Sequence, residues 1–203
     1  MHYLLDRCTI WARNWMSDRA GKGVENISVA DTTQPLLVPV EPDIEATRAL
    51  RAGLGAFATG VTIITAFDAD QPVGITVNSF ASVSLEPPLI LWSIARAASC
   101  APAFAPGRPF CVHVLGAGQE SLARRFARTG GDKFGDLEWT PSAYGAPLLP
   151  GCIAEFHCSV TACHAGGDHT IIIGRVDAWL AREGKALLFH RGQFLTLPSI
   201  GAV

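Results

Sequence analysis

Apolar and polar positions alternate with a period of two along most of this chain and follow a helical period in two stretches. After Asp43, a plausible N-cap, Ile44, Thr47, Leu50, Leu54 and Phe57 recur at helical spacing with Arg48 and Arg51 off the stripe, which predicts a helix that ends at Gly60 and packs on a sheet. Val61 to Phe67 reads as a strand. The turn Asp68-Ala-Asp-Gln-Pro72 then leads into a β-branched strand from Gly74, completing a hairpin. That second strand dissolves into small hydroxyl residues around Asn78, Ser79, Ser82 and Ser84, stops at Pro87-Pro88, and resumes as the apolar run Leu89 to Ile94. Ala95 to Gly107 is small, Pro-rich and weakly helical. Phe110 to Leu115 is a strand, and Gln119 to Arg128 a short helix with Leu122, Ala123 and Phe126 inward and Arg124, Arg125 and Arg128 outward. Gly130 to Pro150 reads as loop.

Ile153 to Cys163 alternates, with Phe156, Cys158, Val160 and Ala162 on one face and Glu155, His157, Ser159 and Thr161 on the other, so that strand is expected to be half exposed. His164-Ala-Gly-Gly-Asp168 is a Gly-rich reversal. Thr170 to Trp179 returns as a strand whose Ile171-Ile-Ile173 predicts burial on both faces, and Ala186 to His190 and Gln193 to Leu197 add short strands around Arg191-Gly192. Seven or eight turn-separated strands with two helices predict a mainly β fold, a closed antiparallel barrel rather than a βαβ sheet.

Residues 1–42 follow neither period. Tyr3 to Trp15 mixes apolar and basic residues as a short amphipathic helix would, and Ser17 to Pro42 is polar and then Pro-punctuated. Residues 1–42 therefore read as a poorly ordered or dimer-wrapping extension ahead of a domain over 43–203. At 203 residues, one domain plus such an extension suffices to bury a core. The 17% charged residues, low against 49% hydrophobic ones, point to surface covered in an oligomer, most simply a homodimer. A net charge of -2 without a Lys/Arg cluster argues against nucleic acid. No apolar run is long enough to span a bilayer, and Asp6 and Arg7 interrupt the stretch where a secretory signal would be apolar, so the expectation is a cytoplasmic protein away from the membrane. The six cysteines, Cys8, Cys100, Cys111, Cys152, Cys158 and Cys163, form no CxxC pair and fall mostly in apolar strands, as reduced, packed thiols do; no metal site is expected.

Chemistry concentrates at the Asn78 to Ser84 elbow. Small side chains there suit a pocket in which backbone N–H groups approach a flat polar heterocycle or a phosphate, and equally a hydroxyl-rich corner between two strands. Gly116-Ala-Gly-Gln-Glu-Ser121 imitates a dinucleotide fingerprint, but its third glycine is a serine and loop follows the helix where a Rossmann unit needs a parallel strand. His113 and His157 sit mid-strand and read as structural or surface residues; His190 and Arg191 form a strand-end pair whose cation could meet a phosphate.

Thr59-Gly-Val-Thr-Ile-Ile-Thr65, Gly74-Ile-Thr-Val-Asn-Ser-Phe-Ala-Ser-Val-Ser-Leu-Glu-Pro-Pro-Leu89, Asp132-Lys-Phe134, Gly167-Asp-His169 and Leu187-Leu-Phe-His-Arg-Gly192 together resemble, in that order, the flavin reductase family, the reductase components of two-component monooxygenases. The resemblance runs from about Ile44 to Leu197. It implies a homodimeric FMN-binding split β-barrel with a few peripheral helices, hydride transfer from NADH or NADPH to FMN or FAD, and release of reduced flavin to a transient oxygenase partner. It places the isoalloxazine on Thr76, Val77, Asn78 and Ser79, the ribityl and phosphate near Ser93 and Ala98-Ser99-Cys100, and further flavin contacts on Phe110 and Cys111. Lys133 would bring positive charge toward the phosphate or the ring edge, with Phe134 as the packing anchor of that cofactor-binding loop, unless it is a solvated loop lysine. His169 would meet the nicotinamide carboxamide or pyrophosphate, unless it is simply a hairpin-end histidine bonded to Asp168. Cys100 departs from the family's threonine or serine. Hydride transfer needs two rings held face to face and the developing charge stabilised, which explains why no Ser/His/Asp, HExxH or paired carboxylates stand out. A pyridoxamine phosphate oxidase-like split barrel would show a row of cations that is scarce here; a non-catalytic flavin-binding module is the other alternative.

Overall fold

A computed structural model describes residues 43–196. The expected extension, Cys8 and the terminal Leu197 lie outside the described residues.

The chain enters through α1 (Ile44–Leu54), where the Asp43 carboxylate caps the first turn by accepting from the Ala46 N–H at 2.7 Å. The helix ends at Leu54 on Gly55, short of Gly60, because β1 (Thr59–Gly60) begins a ladder with a strand from the far end of the chain. Next come β2 (Thr62–Asp68), β3 (Gln71–Val77), β4 (Ala81–Leu85) and β5 (Pro88–Ala95), a 3₁₀ turn (Ala101–Phe104) and β6 (Pro109–Val114). A second 3₁₀ turn (Ala117–Gln119) opens α2 (Glu120–Phe126). The expected loop over 130–150 contains only the two-residue pair β7 (Thr140–Pro141) and β8 (Pro147–Leu148). The long hairpin β9 (Ala154–Gly166) and β10 (His169–Ala181) and the short one β11 (Leu187–His190) and β12 (Gln193–Thr196) complete the order.

Seven strands form one antiparallel sheet in the order β3-β2-β6-β9-β10-β5-β4, and β1-β11-β12 form a small second one. The fold is mainly β, as expected, but the barrel is not closed. β3 and β4, consecutive in the chain, are the two edges of the large sheet, and residues 78–80 cross the gap between them. β2 shows why the sheet rolls up. Ile64 and Ala66 enter a core with Trp92, Ile94, Phe104 and Phe110, while Val61 and Ile63 enter a second core with Leu115, Ala123, Phe126 and Leu187. A strand that feeds both faces reads as continuous hydrophobic sequence. In the first core Phe110 lies so near Gly174 that a Cβ there would come within 2.5 Å of its ring; only glycine lets β10 pass.

Three expectations fail for physical reasons. α1 packs on no sheet: none of its residues is buried, and Ile44, Leu50, Leu54 and the following Phe57 are exposed. The polar face of β9 is sealed at Glu155 and His157, because Arg182 donates to the Glu155 carboxylate at 2.7 Å and His157 Nδ1 meets the Ser142 hydroxyl at 3.0 Å beneath the Tyr144 ring. Conversely, of Ile171 to Ile173 only Ile172 is fully buried, since no layer of the described residues lies over the outer face of β10.

Candidate active site

β4 pairs with β5 only as far as Ala81 opposite Leu91, so the next outward-facing β5 residue, Ser93, has no strand neighbour on that side. The elbow supplies one. Ser79 Oγ accepts the Ser93 N–H at 3.0 Å and lies 3.4 Å from its carbonyl, so a single hydroxyl replaces the missing ladder. This bond pins the elbow across the edge of the sheet and leaves a concavity of about 470 Å³ beside it. Its walls are Asn78, Ser79, Phe80 and Ala81 on one side and Leu54, Gly55, Phe57, Ala58, Thr59, Gly60 and Phe189 on the other.

The tip of the β11–β12 hairpin braces the second wall. Arg191, in a left-handed conformation with φ 44°, donates its N–H to the Gly55 carbonyl at 2.7 Å. That bond joins the His190-Arg191-Gly192 turn to the end of α1, which no local periodicity would reveal. The lining is aromatic and aliphatic with a few polar groups, the usual character of a small-molecule site. Two of those groups are uncommitted. Thr59 Oγ1 is buried without a hydrogen-bond partner, and the Asn78 amide has none among the described residues. A buried hydroxyl left unpaired at a pocket wall is costly unless a ligand satisfies it, so the residues fit a heteroaromatic ring carrying donors and acceptors at its edge.

Two residues along β5 from Ser93, Ala95 stands opposite His169 on β10, and Ser93 opposite Ile171. Side chains two apart share a face, so Ser93 and His169 lie on the same outer face, roughly 7 Å of strand apart. His169 Nδ1 donates to the Asp168 carboxylate at 2.7 Å, which leaves Nε2 available, and the Asp168 carbonyl accepts the Arg96 N–H at 3.0 Å. The hairpin end thereby clamps the loop that carries exposed Ser99 and half-buried Cys100.

A profile of the flavin reductase like domain matches residues 54–198. The chain belongs to the flavin reductase family. It is 49% identical over 153 residues to the FMN reductase (NADH) SmoA of Agrobacterium fabrum, covering 75% of this chain and 87% of that protein. It is 44% identical over 148 residues to the flavin-dependent monooxygenase reductase subunit HsaB of Rhodococcus jostii, covering 72% and 76%. Among solved structures, the NADH:FAD oxidoreductase SgcE6 of Streptomyces globisporus in complex with NAD and FAD fragments superposes with a TM-score of 0.75 at 36% identity, covering 82% of this chain and all (100%) of that one.

Within this flavin reductase fold the residues named by the resemblance divide into two groups. Asn78 and Ser79 line the concavity, Ser93 is bonded to Ser79 and shares a strand face with His169, and Ser99 and Cys100 lie in the loop that follows β5. Others are committed elsewhere. The Thr76 hydroxyl donates to the Ala123 carbonyl at 2.7 Å, and Val77 is buried with its carbonyl accepting from Thr62. Phe110 and Cys111 are 1% and 0% exposed; the ring packs on Trp92 and Phe104, and burial pushes the thiol up out of its ordinary range, so neither side chain reaches a ligand. Lys133 donates to the carbonyls of Gly74 and Phe126 at 3.1 and 3.0 Å, and Phe134 is a buried partner of Phe126 and Trp139. The side chains of Phe110 and Cys111 are thus core residues, so a flavin contact there would fall to their backbone; Phe134 packs as the anchor it was expected to be, and Lys133 links α2 to β3. The expected site lacked Phe57, Ala58, Thr59, Gly60, Phe80 and Phe189. Thr59-Gly60 and the segment around Phe189 stood in two of the recognised motifs, but nothing local to either showed that they meet at Asn78.

Proposed function

We propose that this chain is an NAD(P)H-dependent flavin reductase that passes hydride from a dihydronicotinamide nucleotide to FMN or FAD and hands the reduced flavin to a partner oxygenase component in the cytoplasm. The observation that carries the reading is the braced concavity beside the elbow, lined by Asn78 and by Thr59, whose buried hydroxyl has no hydrogen-bond partner. It is supported by relatives whose names give NADH with FMN and by a fold neighbour that holds NAD and FAD fragments.

A bound flavin supplies the hydride-accepting ring. The chain's part is orientation. Asn78 and Thr59 would hydrogen-bond the edge of the heterocycle, Ser79 keeps the elbow pinned to β5, and Phe57, Phe80 and Phe189 would shield the bound ring from water. Ser93, Ser99 and Cys100 would hold the ribityl chain and phosphate, and His169 Nε2 would contact the nicotinamide nucleotide. The function calls for no general acid or base among these residues.

Residues 43–203 constitute the reductase domain, with 1–42 as an extension. It works as a homodimer: the exposed stripe of α1, Leu85 at 92% exposure and Trp179 at 67%, and the half-covered Ile171 and Ile173 are the surfaces a second copy would take up.

Steady-state reduction of free FMN and FAD by NADH and by NADPH tests the reading; absence of turnover with all four pairs, while flavin still binds, makes the chain a flavin-binding module instead. His169→Ala should raise the KM for the nicotinamide nucleotide by about tenfold, the loss of one hydrogen bond to a charged or polar group, with the KM for flavin little changed. Equal effects on both substrates would undo the role given to His169.

A further inference from the structure

Beside α2 and the loop that follows it lies a second concavity, of about 460 Å³, that the reductase reading does not use. Its walls come from one side of α2 and the loop after it: Ser121, Leu122, Arg125, Arg128, Gly130, Gly131, Asp132, Lys133 and Leu137. Three cations face one carboxylate. That carboxylate, Asp132, is turned back on its own loop, accepting the N–H groups of Phe134 and Gly135 at 2.8 Å each. Arg125 donates through Nε to the Lys133 carbonyl at 2.7 Å and pairs with the exposed Asp136. Lys133 covers the Phe126 carbonyl, which offsets the negative end of α2.

Arg128 differs from both. Its side chain is exposed, and its guanidinium makes no hydrogen bond or ion pair among the described residues. The next two lining residues, Gly130 and Gly131, both have positive φ, 66° and 74°, with open space where a Cβ would stand, and their amides donate to no described backbone group. A free guanidinium beside free amides in a Gly-Gly turn suits a phosphate, and the neighbouring Leu122 and Leu137 offer an apolar wall to a flat base. We propose that this concavity is a nucleotide site, in which Arg128 and the amides of Gly130 and Gly131 hold the phosphate and Leu122 and Leu137 the base. The binding test below stands apart from the reductase reading, which enters only in deciding whether the adenylate belongs to a dinucleotide substrate or to a free mononucleotide.

The test is calorimetric titration of the full chain with 5′-AMP and with adenosine at low salt. The expected result is that 5′-AMP binds and adenosine binds at least about tenfold more weakly, one charge-assisted phosphate contact being worth that factor. Arg128→Glu should abolish this preference, Arg128→Gln should reduce it, and FMN binding should stay unchanged in both. Rise of the FAD dissociation constant in Arg128→Glu, with FMN unmoved, assigns the adenylate to the flavin dinucleotide; rise of the NADH KM alone assigns it to the nicotinamide dinucleotide; loss of 5′-AMP binding with neither moving assigns a free mononucleotide. Absence of 5′-AMP binding, equal binding of 5′-AMP and adenosine, retention of 5′-AMP affinity in Arg128→Glu, or an equal loss of FMN affinity would overturn the site.

Discussion

The two helices carry similar stripes and meet opposite fates. α2 is seven residues long, yet Ala123 and Phe126 are both fully buried, and its C-terminal end is tied to β3 through Thr76 and Lys133. Phe126 sits so close to β3 that a Cβ on Gly74 would come within 2.7 Å of its ring. α1 is eleven residues long, well capped, and buries nothing. Amphipathic periodicity therefore records that a helix has an apolar side to cover, while the identity of the cover is set elsewhere. For α2 it is the protomer's own sheet; for α1 none of the described residues provides it.

Phe126→Ala should expose this contrast most sharply. Emptying a fully buried phenyl site costs about 3–5 kcal/mol, measurable as a fall in the denaturant midpoint at unchanged slope. A loss under about 1 kcal/mol would mean that α2 is no better seated than α1.

Acidification should weaken the same core by a slightly smaller amount. His113, fully buried beside Ile63 and Leu149, offers Nδ1 to the Ile63 carbonyl at 3.3 Å and accepts the Leu149 N–H on Nε2 at 3.2 Å, a pairing that only the neutral Nδ1–H ring can make. Burial holds its pKa down from 6.5 to about 4. Between those values the unfolded chain binds a proton that the folded chain refuses, so the contribution is complete above pH 6.5 and lost as pH falls toward 4, by about 3 kcal/mol at most. Unfolding measured across that range in the parent and in His113→Gln should diverge at the neutral end and converge at the acid end. Parallel curves would remove His113 as the cause.

The smallest effect on the protomer belongs to α1. Leu50→Glu with Leu54→Glu should leave the β-sheet circular dichroism intact and alter the protomer's own stability by about 0.5 kcal/mol or less. If the proposed homodimer forms through this stripe, sedimentation should nevertheless show the pair of charges converting it to a monomer. If the variant sediments as the parent does, a second copy is not what covers this stripe.

Much of the fold was legible because strands declare themselves by local alternation and turns by Gly, Pro and Asp. The β2–β3 hairpin, the β9–β10 hairpin, the short α2 and the open loop after it all follow from neighbours in sequence. The site was half legible. Asn78 and Ser79 attract notice through their small polar character, and His169 through the Gly-rich reversal before it. The burial of Phe110 and Cys111 and the anchoring of Lys133 were not legible, because the strands that bury the first two, and the carbonyls that engage the third, come from distant parts of the chain. Glu155 was expected on an exposed face for the same reason: its partner Arg182 is 27 residues away.

The amino-acid order by itself determined which segments extend, which coil and where the polar elbow interrupts two apolar strands, since these depend on dihedral preferences and on a side-chain period of two or 3.6. Only the tertiary structure decided that the elbow stays open. Whether Ser79 bonds Ser93, whether Arg191 braces Gly55 and whether Thr59 is left without a partner depend on which remote backbone groups arrive beside them. Hydrogen bonds between distant segments leave no periodic trace in either one.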